Sequence, residues 1–169
     1  MIMDDVPWLD ERERDCWVAL VNIAMRLEST LDTQLSKDSG LRMVDYYVIA
    51  MLSESRDLTL TMGELAARSN SSPSRMSHVV KRLEARGWVR RSPSEVDGRG
   101  TLATLTDLGL QTIETAAPEH VRHVRRLVFD ALDPEDLGPL TAGLTKIAER
   151  VTPPLARRSV ADSQATEPA

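Results

Sequence analysis

Between Ser72 and Arg82 the chain sets three hydroxyls, one imidazole and three cations within eleven positions: Ser72, Ser74, Arg75, Ser77, His78, Lys81 and Arg82. These groups donate hydrogen bonds and carry positive charge, which is the chemistry that reads base edges and neutralises phosphates. At helical spacing Met76, Val79, Val80 and Leu83 form the opposite, apolar face, so one side can dock while the other meets a ligand. The competing reading of the cluster is a solvated charged face. Farther along, Asp97 and Arg99 lie in the turn-rich stretch SPSEVDGRG. An arginine at such a tip suits a narrow minor groove, where negative potential concentrates. Asp97 is an acceptor only, so it is expected to orient Arg99 or a neighbouring group and not to face phosphate.

Charge distribution supports a polyanionic partner although the total does not. The net charge is −5, yet Arg68 to Gly100 holds eight basic and three acidic residues, a local +5 that leaves −10 for the remainder. An acidic body with one basic segment is the footprint of a local phosphate-binding surface.

Other reactive side chains are weaker candidates. Cys16 offers a redox-sensor reading, which its acidic neighbours Glu13 and Asp15 disfavour; no redox role is expected. A single cysteine also excludes an internal disulfide framework and a thiolate-rich zinc site. Glu119, His120 and His123 have two-ligand metal spacing but lack a third strong ligand, so a solvated helix face is expected and no metal. The sequence has no G-x-S-x-G, P-loop or H-E-x-x-H pattern, no supported nucleophile–base pair, and therefore no expected catalytic residue or cofactor. No apolar run reaches the ~20 residues of a membrane span, and the acidic start MIMDDVPWLDERERD lacks a signal-peptide layout. A cytoplasmic protein with no membrane partner is the expectation.

The elements that would position these groups follow from periodicity and caps. Residues 10–37 read as a long helix with Trp17, Leu20, Val21, Ala24, Leu27, Leu31 and Leu35 on one stripe. A break at Asp38-Ser39-Gly40 precedes a helix over 43–53. Thr61 and Glu64 form a capping box opening the short helix MGELAARS. Asn70-Ser71-Ser72 is a polar turn, and Ser72-Pro73 opens the helix that carries the basic cluster. Two strands, 88–91 and 101–105, flank the Arg99 loop. A helix from Thr106 is expected to kink or break at Pro118, and a last helix to run to about Val151. Residues 153–169 read as a flexible tail. The order of short helix, turn, basic helix and hairpin is that of a winged helix-turn-helix.

The stretch from Thr61 to Gly109 resembles the MarR family of regulators. The residues that carry the likeness are Glu64-Leu65-Ala66, Arg82-Leu83-Glu84 with Gly87, Val89 and Arg91, Asp97 and Arg99 in the wing, and Leu105-Thr106 with Gly109. The likeness implies a mainly α fold with a small β-hairpin wing (α+β). One domain would occupy 1–152, with a winged lobe at 41–109 and a helical dimerisation lobe at 8–38 and 110–152. It implies a homodimer with intertwined terminal helices, bound to a near-palindromic operator in double-stranded DNA. It further implies a repressor whose affinity responds to a small aromatic or phenolic effector, with Trp17, Tyr46 and Tyr47 as candidate pocket residues. A winged helix used for protein–protein contact is the alternative, which the basic helix and Arg99 disfavour.

Overall fold

The computed structural model describes residues 6–94 and 100–151; the expected tail and the wing-tip residues Asp97 and Arg99 lie outside them. Asp10 opens α1, Glu11–Ser39, through a capping box with Glu13, and the helix ends at Gly40. Helix α2, Met43–Ser53, has no side-chain cap at Arg42. Instead Asp32 of α1 reaches across and accepts the Met43 N–H at 2.7 Å.

A three-residue strand that periodicity does not predict, β1 (Thr59–Thr61), leads into α3, Met62–Arg68. Thr61 and Glu64 make the expected capping box, with the Glu64 N–H on Thr61 Oγ1 at 3.1 Å and the Thr61 N–H on Glu64 Oε2 at 2.7 Å. Helix α4 is Pro73–Ala85, followed by the antiparallel strands β2 (Val89–Pro93) and β3 (Thr101–Leu105). The sheet order is β1-β3-β2, so β3 is central and the hairpin has a third strand at its root. Cross-strand Thr59 and Thr104 are joined by their hydroxyls at 2.9 Å.

Helix α5, Asp107–Leu127, is continuous through Pro118, so of the expected kink or break the break does not occur, and it ends at Leu127 before a short 3-10 turn. The last helix, α6, is Leu137–Val151, which puts Pro139 within the first turn where a missing N–H costs nothing.

The core collects side chains from α2, α3, α4, β2, β3 and α5, together with Leu35 near the end of α1. Val48, Ile49, Leu52, Leu65, Met76, Val80, Leu83 and Ala103 are all fully buried. Two glycines are required by their settings. Gly87 sits between α4 and β2 at φ +74°, where L side chains are strained. Gly109, in the first turn of α5, lies so close to the start of β2 that an added Cβ would stand 2.2 Å from the Trp88 carbonyl oxygen. By contrast α6 has no buried residue, and of the apolar stripe of α1 only Leu31 and Leu35 are buried: Leu20, Val21 and Leu27 are half-buried and Trp17 is 56% exposed.

Candidate nucleic-acid interface

One cap, one proline and one turn start α4. Ser72 accepts the Arg75 N–H at 3.2 Å, and Pro73 supplies a first helical position that needs no donor. Asn70 takes a left-handed conformation, φ 48°, which lets α3 and α4 join through a tight turn. With Met76, Val79, Val80 and Leu83 buried, the register of α4 is set, and Ser72, Ser74, Arg75, Ser77, His78 and Lys81 are all exposed. None of Arg75, His78 and Lys81 makes an ion pair among the described residues, so these groups remain available on one helix face.

Arg82 departs from the expected outer face. Its guanidinium turns inward onto Asp45 of α2, with Nε 3.2 and 3.3 Å from the two carboxylate oxygens and Nη2 in a closer bond to Oδ1. The Asp45 side chain is only 2% exposed. A buried carboxylate needs its countercharge, and α4 offers a long cation one turn beyond Val79. Arg82 therefore pins the helix to the body. Asp45 itself escapes a reading of the sequence, because a partner 37 positions away leaves no local signal.

Arg91 is likewise committed. Glu84, in the last turn of α4, accepts its Nε at 2.9 Å and its Nη2 at 2.6 Å. These bonds hold the Glu84 carboxyl below its ordinary range against the opposing effect of burial. Arg90, the next residue back, is exposed. The hairpin is closed near its tip by the Ser94 N–H on the Gly100 carbonyl at 2.8 Å.

The three candidate pocket residues are not brought together. Tyr46 is buried in the core against His120, ring centroids 4.3 Å apart, whereas Tyr47 is 45% exposed and Trp17 stands open on α1. A groove of about 620 Å³ between α1 and α5 is lined by polar groups, among them Thr30, Gln34, Lys37, Glu119, His123 and Arg126, and by none of those three aromatics.

His120 also corrects an expectation: it is buried, not solvated. Its Nδ1–H donates to Gln34 Oε1 at 3.1 Å, and burial first, then the charge of His123, pushes its pKa down. Glu119 stays on the surface with Arg122 and Arg126, which lower its carboxyl. Among the described residues no three of His, Cys, Asp and Glu gather as a metal site. Cys16 is exposed, and no described helix is long and apolar enough to cross a membrane.

A model of the MarR family matches residues 39–100, the span from the last residue of α1 to the residue before β3. The crystal structure of Sco3205, a MarR family transcriptional regulator from Streptomyces coelicolor, in complex with DNA, superposes with a TM-score of 0.83 at 40% identity, covering 89% of this chain and 94% of that one. This chain belongs to the MarR family of transcriptional regulators. AbsC, another MarR family regulator from Streptomyces coelicolor, gives a TM-score of 0.82 at 39% identity over 86% of this MarR-family chain and 98% of its own. Among curated relatives, the HTH-type transcriptional repressor Rv2887 of Mycobacterium tuberculosis is 37% identical over 70 residues, 41% of this chain and 49% of its own length. The uncharacterized HTH-type regulator YdcH of Bacillus subtilis is 35% identical over 60 residues, 36% of this chain and 41% of its own. The chain thus spans half or less of the length of these two curated relatives.

Proposed function

We propose that the protein represses transcription by binding a near-palindromic operator in double-stranded DNA as a homodimer. The observation that carries this reading is the division of α4: one face wholly buried, the other presenting Ser72, Ser74, Arg75, Ser77, His78 and Lys81 at the surface. In the reading, α4 enters the major groove with its capped N-terminus toward the bases, where short serines allow close approach. In the same reading Arg99 reaches the adjacent minor groove and Asp97 orients it or a neighbouring group of the wing. The Sco3205 complex with DNA supports the partner class, and the repressor Rv2887 supports the sign of regulation.

Dimerisation goes with it. Leu137, Leu140, Leu144, Ile147 and Val151 form an apolar stripe on α6 that nothing among the described residues covers, and a second copy offers the same stripe in return. In this arrangement residues 41–109 form the DNA-reading lobe, and 8–38 with 110–152 the dimerisation lobe. A small aromatic or phenolic effector completes the proposal; its support is the family likeness, and the exposed Trp17 and Tyr47 are the aromatic surfaces open to it.

The test is selection of bound duplexes from a random library, followed by binding at several salt concentrations with and without a panel of aromatic acids and phenols. Recovery of a two-fold-related sequence, with affinity that falls steeply with salt, is expected. Absence of any preferred sequence refutes the DNA-reading role, and an affinity indifferent to the whole panel refutes the effector.

A further inference from the structure

Two adjacent arginines in β2 differ in what they touch. Arg90 is exposed, whereas Arg91 is held by Glu84 through three bonds: the two from its guanidinium, and its own backbone N–H, 3.3 Å from Glu84 Oε1. The third bond is informative. β2 is an edge strand, and the Arg91 N–H points away from β3. The carboxylate of α4 therefore takes the place a further strand would occupy. One side chain grips both the backbone and the guanidinium at the middle of the hairpin's outer strand.

The link between α4 and β2 is short, and its carbonyls are held by Thr106, whose hydroxyl donates to the Gly87 oxygen at 2.7 Å and whose N–H bonds the Trp88 oxygen at 3.0 Å. Arg86, Gly87 and Trp88 join them, and Gly87 is at φ +74°. The Trp88 N–H bonds back to the Leu83 carbonyl at 3.0 Å, which fixes the start of the strand but not its direction. A hairpin hinged at its base swings its tip through a larger arc than its root. Val89, Ala103 and Leu105 hold the root of the hairpin in the core and β1 pairs with β3, whereas the Glu84–Arg91 contact, two residues beyond the start of β2, ties the outer strand to α4. Both side chains remain about one-third exposed, a setting in which an ion pair adds little to stability, so its consequence is geometric.

We propose that Glu84 and Arg91 are positioning residues that fix the wing relative to the recognition helix, and so fix the number of base pairs between the major-groove and minor-groove contacts. The proposal rests on the reading of α4 and the wing as the two DNA-reading parts.

The experiment uses the full-length protein and duplexes built on its selected site. In one series the A·T-rich flank is moved by one and two base pairs inward or outward from the half-site core; a second series lacks the flank. The wild type is expected to lose about tenfold in affinity on a shifted flank, the size of one good contact. Glu84→Ala is expected to bind the flankless core within about twofold of wild type but to tolerate shifted flanks within about twofold. Glu84→Gln, which keeps an acceptor for the Arg91 N–H, should fall between. A thermal melt checks folding; if Glu84→Ala is unfolded, Glu84→Gln and Arg91→Lys carry the comparison. The proposal is overturned if the folded variants keep the wild-type dependence on flank position, or if they weaken every duplex by one common factor. Arg99→Ala separates the two readings. If it abolishes the dependence while Glu84→Ala retains it, the positioning role alone fails. If the wild type has no dependence to lose, the wing reading fails and takes the proposal with it.

Discussion

Helices α4 and α6 have similar amphipathic patterns and opposite fates. Each carries apolar residues at three- and four-residue spacing, and each is legible as a helix for that reason. In α4 the stripe of Met76, Val79, Val80 and Leu83 is buried by α2, α3 and the sheet. In α6 the stripe of Leu137, Leu140, Leu144 and Ile147 is covered by nothing among the described residues. Periodicity states that a face must be covered; it does not state by which molecule. The cations of α4 also differ from those of α5. The outer face of α4 sets exposed cations beside serines, while the arginines at the end of α5 are tied to Glu119 and Asp130.

The sharpest way to break this contrast is to charge the open stripe. If the protein is the proposed homodimer, Leu144→Asp with Ile147→Asp should convert it to a monomer in sedimentation equilibrium. Binding to a two-half-site duplex should weaken by about 10³, because two linked sites gain roughly 10²–10⁴ in avidity. An unchanged sedimentation mass would show that the α6 stripe is covered in some other way. The matching change inside the winged region is Arg82→Ala. It strands the Asp45 carboxylate and should cost about 3 kcal/mol in denaturant unfolding, the lower end for a broken buried pair because the guanidinium keeps some solvent contact. Asp45→Asn together with Arg82→Ala should recover part of that loss; if the double variant is no more stable than Arg82→Ala, the pair is not what holds α4.

Much of the winged region is readable because its signals are local. Thr61 with Glu64 and Ser72 with Pro73 are caps written within four residues, and both are made as expected. What escapes depends on distance or context. β1 has only Thr59, Leu60 and Thr61, too few for alternation to register. Asp45 and Arg82 look like two surface charges until α2 meets α4. Spacing groups His120 with Glu119 and His123, yet one step around the helix puts it under Tyr46. Pro118 carries the usual helix-breaking signal, but α5 is buried on Ile113, Ala116 and His120 on either side of it, and packing sustains the helix through the missing bond.

Smaller effects test the exposed face of α4. Arg75→Ala should lose roughly 1–3 kcal/mol and relax preference at one position per half-site if Arg75 reads a base. Lys81→Ala should weaken all duplexes alike and lower the salt slope by about one for each phosphate it neutralises. Equal losses on matched and scrambled duplexes for Arg75→Ala would reduce it to a phosphate ligand.

The smallest expected effect is a pH dependence from His120. Burial lowers its pKa in the folded chain below the ~6.5 of an unfolded histidine, so the unfolded state binds the extra proton first. The resulting stability is fully present above about pH 6.5 and declines as the pH falls toward the depressed folded value. His120→Gln should flatten that decline in urea titrations at about pH 5 to 7. The same slope in wild type and variant would assign it to other groups.

The close approach at Gly109 has a mechanical consequence. Helix α5 is a rod of about 30 Å, running from the foot of the hairpin, past α1 and α2, to the polar groove near His123. At its lower end there is no clearance: the Gly109 Cα already rests against the Trp88 carbonyl, and even one methyl would collide with it. The two elements meet there as backbone against backbone, with no side chain between them. A shift or roll at this end of α5 therefore bears directly on Trp88, the residue before β2.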